Sequence, residues 1–191
     1  PATDDASPLN GQTVTISGIV TAEFWGSSYN RTFFVQDSLG PWSGIMVYRH
    51  EGWDSYDFIT SGGIVHSVAE GDSVTLTGEV YEAYGKTEIK NVSEIIIYGS
   101  SSTMFAPMTV TTAQVMTGGA DAEAYEGCLV SIVDVTVDNP DLGNGDWSIT
   151  DGTNSARVDD NWDYFYYPEA EQELAEVTGV LDFTFGDFKI Q

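Results

Sequence analysis

A chain of 191 residues with 41% hydrophobic and 13% aromatic side chains carries enough apolar surface for packed cores and falls outside the disordered class. Its 30 acidic residues stand against 6 basic ones, a formal net charge of −24, which disfavours phosphate backbones as partners and favours divalent cations, basic surfaces or a salty exterior. The single cysteine, Cys128, excludes an intrachain disulfide, and no apolar run is long enough to span a membrane.

Taken in chain order, Pro1 is no natural translation start and no signal peptide follows it, so the chain is expected to be a processed product or a fragment. Residues Pro1 to Pro8 precede the first clear strand and form a candidate docking arm. Thr13 to Val20 alternates apolar and polar residues, as a strand with one buried face does. Ser73 to Val80 repeats that pattern. Gly18, Gly78 and Gly179 fall inside strand patterns, where glycine marks a bulge or a sharp bend. Glu70-Gly71-Asp72 and Tyr84-Gly85-Lys86 are turn signals, and Glu94 to Tyr98 reads as the last strand of a first unit. Gly99 to Thr103 is polar and serine-rich, a linker with hinge freedom that the apolar Met104 to Met108 limits by packing. Helical periodicity is scarce; Thr111–Met116 and Glu169–Glu176 are each expected to form a short turn or two. Gly127-Cys128-Leu129-Val130 places Cys128 as a small buried residue in a strand.

The chain repeats itself. Asn10 to Ile16 matches Glu126 to Ile132 at an offset of 116, and Phe34 to Asp37 matches Ser148 to Asp151 at 114. Val74 to Val80 and Tyr84 to Ile89 match Val177 to Val180 and Phe185 to Ile190 at 101. Four blocks keep their order, the signature of a duplication. The fall from 114 to 101 places a 13-residue insertion in the first copy, between Tyr48 and Val68 around Glu51 to Phe58. The expected organisation is a first barrel over 1–99, a linker over 100–103 and a second barrel over 104–191. The second copy stops at Gln191, just after the equivalent of Ile89, and is expected to lack its last strand, either because the sequence is a cut piece or because neighbouring subunits exchange strands.

Gly11 to Val20, Phe34 to Asp37, Trp42 to Tyr48, Gly71 to Gly78 and Tyr84-Gly85 resemble the OB-fold-like modules found beside secreted bacterial endonucleases and exonucleases. Trp147 to Thr153, Val158 to Asp160 and Phe185 to Ile190 extend the resemblance through the second copy. It implies an all-β fold of two tandem OB-like Greek-key β-barrels with few short helical turns. It also implies a non-catalytic module and a place outside the cell or on its surface.

Candidate sites follow from residue chemistry. Asp138, Asp141, Asn144 and Asp146 supply hard oxygen ligands in a glycine-containing loop and form a candidate calcium site, without the EF-hand spacing. Asp151, Asp159, Asp160 and Asp163, with Asn154, form a second metal candidate; a solvated acidic rim is the competing reading. Trp25, Trp53, Tyr56, Phe58, Trp162, Tyr164 and Tyr166 are candidate interaction aromatics. Asn30 and Asn91 head glycosylation sequons. His50 and His66 bracket the insertion without ligand spacing. No nucleophile elbow, phosphate loop or Cys–His pairing occurs, so no catalytic site is expected. The expected function is a non-catalytic extracellular structural or interaction protein, self-assembling into a filament or layer through open β-edges and terminal segments. Its partners are expected to be copies of itself or neighbouring extracellular domains. The alternative is an accessory module of a secreted nuclease that binds nucleic acid or glycan.

Overall fold

The computed structural model describes residues 6–25, 31–48, 58–60, 63–65, 68–100, 104–160 and 166–191. The first unit contains β1 (Thr13–Trp25), β2 (Arg31–Gln36), β3 (Gly44–Tyr48), a small hairpin of β4 (Phe58–Thr60) and β5 (Gly63–Val65), then β6 (Asp72–Ala83) and β7 (Lys86–Ser100). The second contains β8 (Met108–Thr109), α1 (Thr112–Val115), a 3-10 turn at Glu123–Tyr125, β9 (Leu129–Gly143), β10 (Asp146–Thr150), β11 (Ser155–Val158), β12 (Glu173–Thr184) and β13 (Asp187–Ile190).

In the first unit the strands close into a barrel in the order β1-β2-β3-β7-β6. In the second, β9 pairs with both β10 and β12, so β9-β10-β11-β13-β12 also forms a ring. Both orders are the five-stranded Greek key of the OB fold, with the third and fifth strands parallel (β3 with β7, β11 with β13). Alternation explains the first barrel's inner face. Along β6, Asp72, Val74, Leu76, Gly78 and Val80 are buried and the residues between them are only half-buried. Its outer face is tied to β1 by hydroxyl pairs, Thr15 with Thr77 at 2.8 Å and Ser17 with Thr75 at 2.7 Å.

The duplication extends to hydrogen bonds. Gly11 N–H donates to Val80 O and Gly127 N–H to Leu181 O, both at 2.8 Å. Leu76 faces Ile16 as Val177 faces Ile132, and Val80 faces Ile89 as Leu181 faces Ile190. Pairing also divides the 13 extra residues. Gln36 faces Gly44 where Thr150 faces Ser155. The offset therefore falls from 114 to 111 within the turn before β3, and the remaining difference lies between β3 and β6.

Three expectations change. The segment Glu94–Tyr98 is not a separate strand: β7 runs from Lys86 to Ser100 and bends at Asn91, which has φ +50°. Glu169–Glu176 is not helical, because Glu173 already pairs with Thr136 as the start of β12. The fifth strand of the second barrel is present as β13, which closes the ring. What has no counterpart among the described residues is the continuation of β7 from Val92 to Ser100.

The barrels share a buried seam. Phe34, Met46 and Val180 form a small core there, with Ala22, Phe24, Tyr48 and Leu129 packed around it. Lys86 of the first barrel pairs with Asp182 of the second at 2.9 Å, and both are buried. The amide of Gln36, fully buried, accepts from Leu129 N–H at 3.1 Å and donates to Ser38 O at 2.7 Å. A Cβ at Gly44 would fall on the backbone of Gly127 and Cys128, so glycine permits the closest approach of the two barrels. Cys128 is fully buried at this seam; burial pushes its thiol pKa up, against the opposing hydrogen bonds from Ser43.

Candidate interaction site

Strand β12 has two halves. Val180, Leu181 and Asp182 are buried between neighbouring strands, whereas Glu173, Ala175, Glu176 and Thr178 are exposed and Leu174 and Val177 half-buried. The equivalent positions on β6 are covered because β7 continues past Asn91. Ile97, Ile96, Ile95 and Glu94 pair with Val74, Thr75, Leu76 and Thr77. On β12, residues 173–179 pair with β9 on one side; no described strand pairs with residues 173–178 on the other.

A cavity of about 420 Å³ opens along this half of β12, walled by Leu174, Val177 and Thr178, by Trp147 and Tyr166, and by Phe24 of the first barrel. The Trp147 and Tyr166 rings lie 5.7 Å apart, and Gln172 donates to the Tyr166 hydroxyl at 2.7 Å. Three polar groups at this cavity have buried atoms without a hydrogen-bond partner: Trp147 Nε1, Asp159 Oδ1 and the side-chain amide of Gln191. Orphaned buried groups are uncommon because each costs about 1–3 kcal/mol.

Beneath the cavity lies an ion cluster. Lys189 is buried and donates to Asp146 Oδ1 at 2.8 Å and to Asp159 Oδ2 at 3.0 Å. Arg157 reaches Asp146 Oδ2 at 3.0 Å and Asp187 at 3.4 Å. Burial raises the Asp159 pKa against the pull of Lys189. Burial alone would lower Lys189, but its bonds to Asp146 and Asp159 hold it above the ordinary lysine value. In the first barrel Lys90 pairs with Glu79 at 3.8 Å and lies over the Tyr81 ring. All four cationic side chains among the described residues therefore already face carboxylates.

The metal expectations meet this arrangement directly. Among the described residues no three acidic, histidine or cysteine groups converge on a common point. Asp146 uses both oxygens on Lys189 and Arg157. Asp138 accepts the Ser155 hydroxyl at 2.9 Å, and Asp141 accepts the Gly143 N–H at 2.9 Å. Asn144 has φ +57° in the turn between β9 and β10. Asp151 accepts the N–H groups of Thr153 and Asn154 and the Thr112 hydroxyl; these bonds, led by Asn154, lower its pKa. Asp160 lies against Gly145, while its neighbour Asp159 accepts from Lys189. Among the described residues these acids form turns and ion pairs. Asp163 lies outside the described residues.

Of the candidate aromatics, only Tyr166 has a described side chain. Trp25 ends β1 and Phe58 begins β4, as backbone; Trp53, Tyr56, Trp162 and Tyr164 lie outside the described residues, as do Asn30, His50 and His66. Asn91 is exposed on β7, and its amide donates to Glu79 at 3.0 Å.

Sequence reasoning missed two features. Trp42, Tyr84 and Phe185 are exposed, and each has positive φ (+65°, +56° and +54°). Left-handed backbone is costly for such side chains. Tyr84 and Phe185 occupy the same hairpin tip in the two barrels, and a turn signal was visible there, but exposure was not. The second feature is Glu126 at the seam. Burial, then the neighbouring charge of Glu123, push its pKa up to about 9. Its Oε1 accepts from Thr87 N–H at 3.0 Å and its Oε2 has no partner. It lines a second cavity of about 390 Å³ with Trp42, Thr87 and Pro8.

No family model and no curated protein sequence matches the chain. Similar solved structures include three with a TM-score of 0.39. One is an OBody bound to hen egg-white lysozyme, at 20% identity over 53% of this chain and 89% of that one. One is the HINa domain of Ifi202 in complex with a 20-base-pair double-stranded DNA, at 13% identity over 94% of each chain. The third comes from work described as structural mimicry for functional antagonism, at 13% identity over 98% of this chain and 93% of that one.

Proposed function

We propose that this is a non-catalytic interaction protein of the cell exterior, which assembles with other copies of itself or with neighbouring domains through the open half of β12. One observation carries the reading. The strand segment covered by the tail of β7 in the first barrel, at 72–77, has an equivalent at 173–178 along which no described strand pairs on that side. An unpaired strand edge is a template for further pairing. The surface chemistry is in keeping with it, since the described cations are committed to internal acids and leave no basic groove for a phosphate backbone. Sedimentation across a concentration series tests the proposal. A mass that rises above one chain is expected, with ordered particles or filaments visible by electron microscopy. A strict monomer at every concentration, with no bound partner from native material, overturns it.

A second reading, glycan binding, has an observation of its own. Tyr84 and Phe185 are essentially fully exposed at equivalent hairpin tips, held in strained backbone. Flat aromatic faces on a rigid turn suit neutral sugar rings. A glycan array probed with the intact chain tests this, and loss of any signal in Tyr84→Ala and Phe185→Ala is the expected result. An array without signal removes the reading.

A further inference from the structure

We propose that the side chains of Lys189 and Asp159 condense into an amide bond that covalently closes the second barrel, with Asp146 carrying the protons and one water released. The reacting groups are already together. Lys189 Nζ lies 3.0 Å from Asp159 Oδ2, one bond from the carbon it attacks, and 2.8 Å from Asp146 Oδ1. All three side chains are buried, so the amine and the carboxyl are held at high effective concentration with little competition from water. The first barrel has no counterpart at these positions. By register, Thr32, Tyr48 and Glu88 hold the places of Asp146, Asp159 and Lys189. The triad is therefore an addition to the second barrel and not a demand of the fold.

Charge count supplies the neutral acid that condensation needs. Two cations, Lys189 and Arg157, face three acids, Asp146, Asp159 and Asp187. Burial raises the Asp159 pKa against the pull of Lys189; the charge of Asp146 and a hydrogen bond between the two carboxyls raise it further. The surplus proton therefore belongs on Asp159, whose Oδ1 is buried without a partner. A carboxylic acid, unlike a carboxylate, accepts an amine at its carbon.

The atoms balance. The Lys189 ammonium gives a proton to Asp146 Oδ1, and the freed amine forms a bond from Nζ to Asp159 Cγ. Asp146 passes that proton to a hydroxyl on Cγ and takes another from the nitrogen. The Cγ–O bond breaks and water leaves, with an amide where an ion pair stood and one proton remaining on Asp146. The bonds from Lys189 to Asp146 and Asp159 hold it in its charged form, so the first transfer limits the rate, and the bond forms once per chain after folding. Turning two buried charges into an amide also removes the desolvation that opposes them. The product ties Asp159, just past β11, to β13. The parallel contact of these strands, Arg157 with Lys189 and Val158 with Ile190, is the one that closes the ring. In a chain with one cysteine no internal disulfide can do this.

Intact-mass spectrometry of the folded chain, followed over time, tests the proposal. A species lighter than the sequence mass by one water is expected, and digestion is expected to yield one branched peptide joining Asp159 to Lys189. Lys189→Arg keeps a cation in the cluster and is expected to retain the full sequence mass. Asp159→Asn is expected to lose ammonia in place of water, because nitrogen is then the leaving atom. Asp146→Asn, checked for folding by circular dichroism, is expected to form the bond at least about 100-fold more slowly, as loss of a proton carrier should. The parent's own mass decides the matter even where a variant fails to fold. The full sequence mass in the folded parent at every time point overturns the proposal. So does a water loss that persists in Lys189→Arg, as a succinimide at Asp151-Gly152 would give, or a branch that maps to Asp146.

Discussion

Residues 72–77 and 173–178 occupy the same place in two copies of one barrel, pair with the equivalent first strands in the same register, and meet different described surroundings on their other side. The first segment is sealed by the tail of β7; the second borders a cavity. Duplication fixes the barrel, and the described residues of the two copies differ in the segment 92–100, which runs on from the ring in the first. The comparison teaches that pairing within the ring is enough to form a closed core: Val158, Leu181 and Ile190 are buried with no such tail among the described residues. The tail of β7 covers the edge of β6.

The largest expected effect breaks the seam that holds the two barrels in one body. Lys86→Ala leaves Asp182 buried without its cation and is expected to cost about 3–5 kcal/mol in chemical denaturation. The double variant Lys86→Met with Asp182→Leu is expected to recover most of that loss, because the desolvation of both charges is then removed. Recovery of nothing would show that the seam does not depend on this pair.

The next effect measures the two strand halves against each other. Leu76→Ala removes a fully buried side chain and is expected to cost about 2–5 kcal/mol. Val177→Ala, at the equivalent but half-buried position, is expected to cost about 1 kcal/mol or less in the monomer. Equal losses at both positions would mean that the second edge is covered after all.

Glu126 supplies a pH signature of the seam. Its pKa is about 9 in the folded chain and near the ordinary 4.5 when unfolded. Between those values the native state binds the extra proton, so this group's contribution makes stability fall as pH rises from about 4.5 to 9. Glu126→Gln is expected to abolish that contribution and to be more stable than the parent at pH 8 by about 1–3 kcal/mol. Parallel stability curves for parent and variant across this range would contradict the assignment. The smallest effect lies at the hairpin tips. Tyr84→Asn and Phe185→Asn relieve left-handed strain and are each expected to raise the melting temperature by about 2–4 °C, by the same amount in both barrels.

Alternation at 13–20 and 73–80, and the offsets of 116 and 101, made the strands, the duplication and the buried Cys128 legible, because those features depend on local period and burial. The continuous course of β7 was less legible, since the bend at Asn91 puts two extra residues into β7 opposite Gly78 and mimics a boundary. The site was harder still. Asp146 resembled a calcium ligand in its local sequence, yet its partner Lys189 lies 43 residues away. Lys86 and Asp182 are 96 residues apart and meet only through the packing of the two barrels. Glu126 had no local mark, because its shifted pKa follows from desolvation at that seam.

Amide hydrogen exchange, read at 72–77 and 173–178 in one sample over a concentration series, tests the central claim most directly. In the dilute monomer, residues 173–178 are expected to exchange at least about 100-fold faster than 72–77, as an uncovered edge should, and to slow as assembly proceeds. Equal protection of the two segments in the monomer, or rapid exchange at 173–178 that persists in the assembled state, would contradict the account.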